Sequence, residues 1–74
     1  MQTITLEIAN RVRGVAAEKR YTQKRIADTL GIARSSVVTR YNGSTPFTST
    51  ELAVLANDMH VNVARFYPEL VVAT

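Results

Sequence analysis

Apolar residues recur along this chain at the three- and four-residue intervals of amphipathic helices, and no stretch keeps the two-residue period of a strand. Ile8, Val12, Val15 and Ala16 form one stripe, which predicts a first helix from about Thr5 to Lys19. Gly14 lies inside it and costs about 1 kcal/mol relative to Ala unless close packing offsets it. Ile26, Ala27 and Leu30 share one face of a second helix over 23–30, with Thr22 as its N-cap and Tyr21 placed to staple onto Ile26. Gly31 follows, where the chain needs positive φ, and Ile32 closes the turn with an apolar contact. Val37 and Val38 sit among polar residues in a third helix, from about Arg34 to Tyr41, that ends at Asn42-Gly43.

Beyond the polar loop Ser44-Thr45-Pro46, Thr48 and Glu51 form a capping box, and Phe47 pairs with Leu52 as a staple. Leu52, Leu55, Ala56 and Met59 line one face of a fourth helix that ends at His60. Asn62 is positioned to cap a short fifth helix carrying Phe66, and Pro68 closes it from outside. The expected fold is all-α: a compact five-helix domain over 1–68, followed by an apolar tail over 69–74 with no evident core to join. Helices two and three read as a helix-turn-helix. Ala27 keeps the crossing close, Gly31 makes the turn and Val37 packs beneath, the arrangement by which a small domain pushes one helix into a DNA groove.

Size and composition narrow the function. A chain of 74 residues with 46% hydrophobic content is one folded domain with a small core. The absence of cysteine removes disulfides and thiolate metal sites and fits a reducing compartment. No apolar run approaches the roughly 20 residues of a membrane span, and the N-terminus lacks a secretory pattern, so a cytoplasmic location with no membrane partner is expected. One His and six scattered acids leave nothing from which to build a nucleophile, metal site or acid–base couple. The expectation is a non-enzyme with neither metal nor cofactor.

Charge is segregated. Residues 1–41 carry eight basic side chains against three acidic, a net +5, while 42–74 carry one against three, a net −2. The excess sits with the helix pair, which points to a polyanion. Placement adds a second pointer: the first turn of helix two holds Lys24 and Arg25, where the helix dipole already makes positive potential and cations cost a few tenths of a kcal/mol each. Helix four carries Glu51 at the position where helix two has Arg25. A phosphate at the start of helix two would turn this defect into a binding feature, whereas in the plainer alternative both side chains snorkel into solvent.

From about Val12 to Tyr67 these residues resemble the phage repressor and Cro-like (XRE-type) helix-turn-helix family. The resemblance rests on the Gln23–Gly43 segment and on Leu55-Ala56 followed by Met59-His60-Val61-Asn62-Val63, similar to the family's final helix pair. It implies a repressor-like domain in which Gln23 reaches the DNA backbone or a base edge, Arg34, Ser35 and Thr39 face base edges, and Asn42 with the following loop holds phosphate. Many relatives place a buried ion pair where Ala16 and Tyr41 stand. Both charges are missing here together, so Tyr41 is expected to pack near Ala16. Arg40 stands where relatives are apolar and either bends out to phosphate or pairs with an acid such as Glu51. Ala33 replaces the usual Ser or Thr cap, so the recognition helix is expected to start late, at Ser35.

Arg34 is the candidate for sequence reading, because a guanidinium fork matches guanine O6 and N7; a phosphate contact is its alternative. Gln23, Ser35, Thr39 and Val38 complete the base-reading set, Val38 through a thymine methyl unless it is partly buried. Thr22, Lys24, Arg25, Ser36, Arg40, Asn42 and Ser44 form the phosphate set. Arg11, Arg13, Lys19 and Arg20 are more remote and supply long-range attraction. A single helix reads few base pairs, so a homodimer on a palindromic operator is expected, with Phe66, Tyr67 and the Leu70–Val72 tail as the joining surface. The tail could equally be the stump of a linker. The leading function is a double-stranded DNA-binding regulator, a phage or bacterial repressor of the Cro or immunity type. The alternative is a protein-binding module of the same fold, such as an antitoxin or assembly factor.

Overall fold

The computed structural model describes residues 3–68, as four α-helices and one 3-10 turn: α1 (Thr3–Glu18), α2 (Gln23–Leu30), α3 (Arg34–Tyr41), α4 (Ser49–Met59) and the turn Val63–Phe66. The tail lies outside the described residues. The fifth helix is therefore a correction. Asn62 does cap the segment, its Oδ1 accepting from the Ala64 N–H at 2.9 Å, but Arg65 and Tyr67 donate to the carbonyls three residues back. Pro68 has no N–H with which to reach the Ala64 carbonyl in α-helical register, so one tight turn is all that forms.

Every element feeds one core. Val12 of α1, Ile26 of α2, Val37 of α3, Leu52 and Leu55 of α4 and Phe66 of the final turn are fully buried. Burying each such side chain is worth about 1.5–3 kcal/mol. Within α1 the stripe is Ala9, Val12, Val15 and Ala16, with Ile8 half-buried at its edge. Gly14 is exposed, and an added Cβ would meet nothing within 4 Å, so no packing offsets its cost. α2 packs on α3 and α4, while α1 packs on α3 and the final turn.

The turn between α2 and α3 forms as its residues dictate. Gly31 adopts φ +69°, the Ile32 N–H reaches back to the Ala27 carbonyl at 3.0 Å, and Ala27 is buried at the crossing. α4 ends the same way without a glycine, with His60 at φ +58° and the Val61 N–H on the Ala56 carbonyl at 3.0 Å. α3 starts at Arg34 and not, as Ala33 suggested, a residue late. The Ala33 carbonyl accepts from both Ser36 and Val37 N–H, so backbone alone closes the first turn, with no side-chain cap.

Candidate nucleic-acid interface

α3 buries Val37 and turns the opposite flank outward. Arg34, Ser35, Val38 and Thr39, one helical face by spacing, are all exposed, Val38 at 43%. Ser36 and Arg40 are partly buried between the two faces. Thr39 donates its hydroxyl to the Ser36 carbonyl at 2.9 Å, which steadies it on the helix. Arg34 donates from Nε to Gln23 Oε1 at 3.3 Å, so the first residue of α2 and the first of α3 meet across the turn.

Arg40 settles into the internal arrangement. Its Nε and Nη2 bind the two Glu51 carboxylate oxygens, each at 2.9 Å, and Nη1 donates to the Ser36 carbonyl at 3.1 Å. Only 14% of the Arg40 side chain and 15% of that of Glu51 remain exposed. As a phosphate ligand Arg40 is thereby corrected: the guanidinium is spent on α4. Burial pushes the Glu51 carboxyl up, but hydrogen bonds from Arg40 and from the Thr48 N–H outweigh it and hold the group below its ordinary value. Glu51 thus closes the capping box, with Thr48 N–H to Oε1 at 3.0 Å, and anchors α3 with the same carboxylate.

The start of α2 holds the other cations. Thr22 caps it, accepting from the Arg25 N–H at 3.1 Å. Lys24 pairs with Asp28 at 2.9 Å, but both side chains are mostly solvated, so this pair is worth at most about 1 kcal/mol. Arg25 lies over the Tyr21 ring, 4.2 Å from its centroid, with Nη2 4.0 Å from Asp58 Oδ2. Tyr21 donates to that same Asp58 oxygen at 2.6 Å, and this bond raises the phenol above its ordinary value. Beyond α3, Asn42 and Ser44 are exposed. Asn42 Oδ1 accepts from the Ser44 N–H at 3.0 Å, and the N–H groups of Ser44 and Thr45 both turn inward to the Thr39 carbonyl. This loop can therefore offer side chains outward, the Asn42 amide and the Ser44 hydroxyl, while its own N–H groups are occupied.

Other placements lie beyond the reach of local spacing. Glu18 and Arg65 form a two-pronged pair at 2.9 and 3.0 Å across 47 residues, whose hydrogen bonds lower the carboxyl and raise the guanidinium. Arg13 lies 5.7 Å over the Tyr41 ring, and Tyr41 lines one cleft with Ala16, in keeping with the expected replacement of an ion pair by packing. Phe66 is fully buried and so is removed from the dimer surface proposed for it; Tyr67 stays exposed, and Leu70–Val72 lie outside the described residues. No local spacing signals contacts made at such separations. Among the described residues no helix is long and apolar enough to cross a membrane, and no group of three or more His, Cys, Asp or Glu is placed to hold a metal ion.

The chain matches no family model and no curated protein sequence. Its fold is that of a solved protein, the restriction-modification controller protein C.AhdI from Aeromonas hydrophila: TM-score 0.75, 19% identity, covering 85% of this chain and 96% of that one. Among the described residues the architecture is all-helical, four helices and a 3-10 turn, with α2 and α3 as the helix-turn-helix.

Proposed function

We propose that this chain is a sequence-specific regulator that binds double-stranded DNA, laying α3 lengthwise in the major groove. The observation that carries the reading is the outward flank of α3. Arg34, Ser35, Val38 and Thr39 stand exposed together, with no carboxylate among them, on a helix that no side chain caps. Arg34 reads guanine: with Nε on Gln23, its two terminal nitrogens remain for O6 and N7. Ser35 and Thr39 read through short contacts or water, and Val38 takes a thymine methyl. Thr22, Lys24, Arg25, Ser36, Asn42 and Ser44 hold phosphates on the two sides of the groove. That a restriction-modification controller shares this fold supports a regulatory role, and a bacterial or phage repressor that occludes a promoter is the form we favour. Recognition of a few base pairs by one helix calls for a second copy on a palindrome, half-sites about one helical turn apart.

Selection of bound duplexes from a random DNA pool tests this directly. A palindromic consensus containing guanine opposite Arg34 is expected. Arg34→Ala then loses about 1–3 kcal/mol on the consensus and relaxes one base position. Equal loss on consensus and random duplex removes the base-reading role, and failure to enrich any sequence removes the function.

A further inference from the structure

A cleft of about 470 Å3 runs alongside α1, and Tyr41 at the end of α3 lines it with Asn10, Arg13, Gly14 and Gln23. No carboxylate lines this cleft. Two other clefts each contain one: Asp28 beside Lys24 in the first, Glu18 beside Arg11 and Arg65 in the second. Arg13 enters none of the four ion pairs among the described residues. Its guanidinium rests on the Tyr41 ring, and a cation held by a ring face keeps its N–H edges open to a further partner. Phe47 holds that ring from elsewhere in the core, at 6.2 Å between centroids. Burial raises the Tyr41 hydroxyl against the opposing pull of Arg13, so it remains an O–H donor. Gln23 gives its oxygen to Arg34, which leaves the amide N–H2 as a donor. Gly14, unexplained by packing, leaves open space beside Arg13, where a foreign backbone can come close to α1.

We propose that this cleft seats one backbone phosphate of the DNA duplex, with Arg13 as its charged ligand and Asn10, Gln23 and Tyr41 as neutral donors. The inference rests on the reading of the chain as a DNA-binding protein and adds α1 to the binding surface. It also separates two arginines that look alike in sequence. Arg13 makes a contact, whereas Arg11, in the cleft with Glu18 and Arg65, supplies only long-range attraction.

The test is titration of the full chain against its selected duplex over a range of salt concentrations. Arg13→Ala is expected to bind consensus and random duplexes several-fold more weakly alike, and to flatten the plot of log affinity against log salt by about 0.9. Arg11→Ala should leave that slope nearly unchanged, and Arg13→Lys should restore it. Duplexes carrying single methylphosphonates, scanned along both strands, should reveal one position that weakens the parent protein several-fold and leaves Arg13→Ala unaffected. If Arg13→Ala and Arg11→Ala flatten the slope equally, or no such position exists, the phosphate seat is overturned while DNA binding stands. If the parent protein shows no salt-dependent duplex binding, both fall together.

Discussion

α2 and α4 begin with the same geometry and opposite charge. Thr22 and Thr48 share an extended conformation, φ −77° in both with ψ 164° and 159°, and each accepts the N–H of the third helical residue at 3.1 Å. That third residue is Arg25 in α2 and Glu51 in α4. In α4 the carboxylate turns back onto the Thr48 N–H, complements the dipole and grips Arg40, so the helix start is satisfied by the protein's own groups. In α2 the arginine swings aside onto Tyr21, and the positive end of the helix faces solvent unanswered. Identical caps with contrasting third residues show that hydrogen bonding fixes where a helix starts, while the adjoining charge decides whether that start serves the fold or stays available to an anion.

The largest way to break this contrast lies in α4. Glu51→Ala strips the box and leaves Arg40 charged and largely desolvated, which should cost about 3 kcal/mol in denaturant unfolding, a large part of the stability of so small a domain. Acid probes the same group. Because the folded Glu51 carboxyl sits below its ordinary value, its contribution is present above the unfolded value of about 4.3 and is lost as pH falls through the lower, folded value. Unfolding midpoints followed from pH 6 downward should therefore fall less steeply in Glu51→Gln than in the parent, and parallel slopes would refute the assignment.

Converting α2 into a copy of α4 is the next test. Arg25→Glu rebuilds the capping box but forfeits the stack on Tyr21 and sets a second carboxylate near Asp58, so stability should fall by no more than about 1 kcal/mol. Affinity for duplex DNA should fall by roughly tenfold or more through charge reversal at the helix start. Destabilisation well beyond that margin would mean Arg25 is retained for the fold. The smallest effects belong to the opposite ends of the same helices. Gly31 and His60 share the left-handed conformation, at φ +69° and +58°, but only glycine adopts it freely. His60→Gly should raise stability by up to about 1 kcal/mol and Gly31→Ala lower it by about as much, read by thermal unfolding.

These contrasts also mark what the sequence made legible. The capping box at Thr48, the turn at Gly31 and the buried stripe of α4 depend on residues three or four apart, and such spacing is visible in one dimension. The Tyr21–Asp58 and Glu18–Arg65 contacts join residues 37 and 47 apart, and nothing local marks either partner. The choice between phosphate and Glu51 as the partner of Arg40 depends on how α4 docks against α3, which no local spacing shows. The segment after Asn62 carries a good cap, but the N–H missing at Pro68 limits it to a single 3-10 turn. Ala33 misled in the opposite sense, because a polar side chain is only one way to begin a helix. The residues proposed to read bases were legible as one face, since 34, 35, 38 and 39 follow helical spacing whatever the rest of the fold does.

That face has an evolutionary corollary. The bulk of α3's attachment runs through Val37, Arg40 and Tyr41, so Arg34, Ser35, Val38 and Thr39 can be exchanged for other residues at a cost near the ±0.5 kcal/mol typical of surface positions. Selection, natural or in the laboratory, can rewrite these four positions while the residues that orient the helix stay fixed.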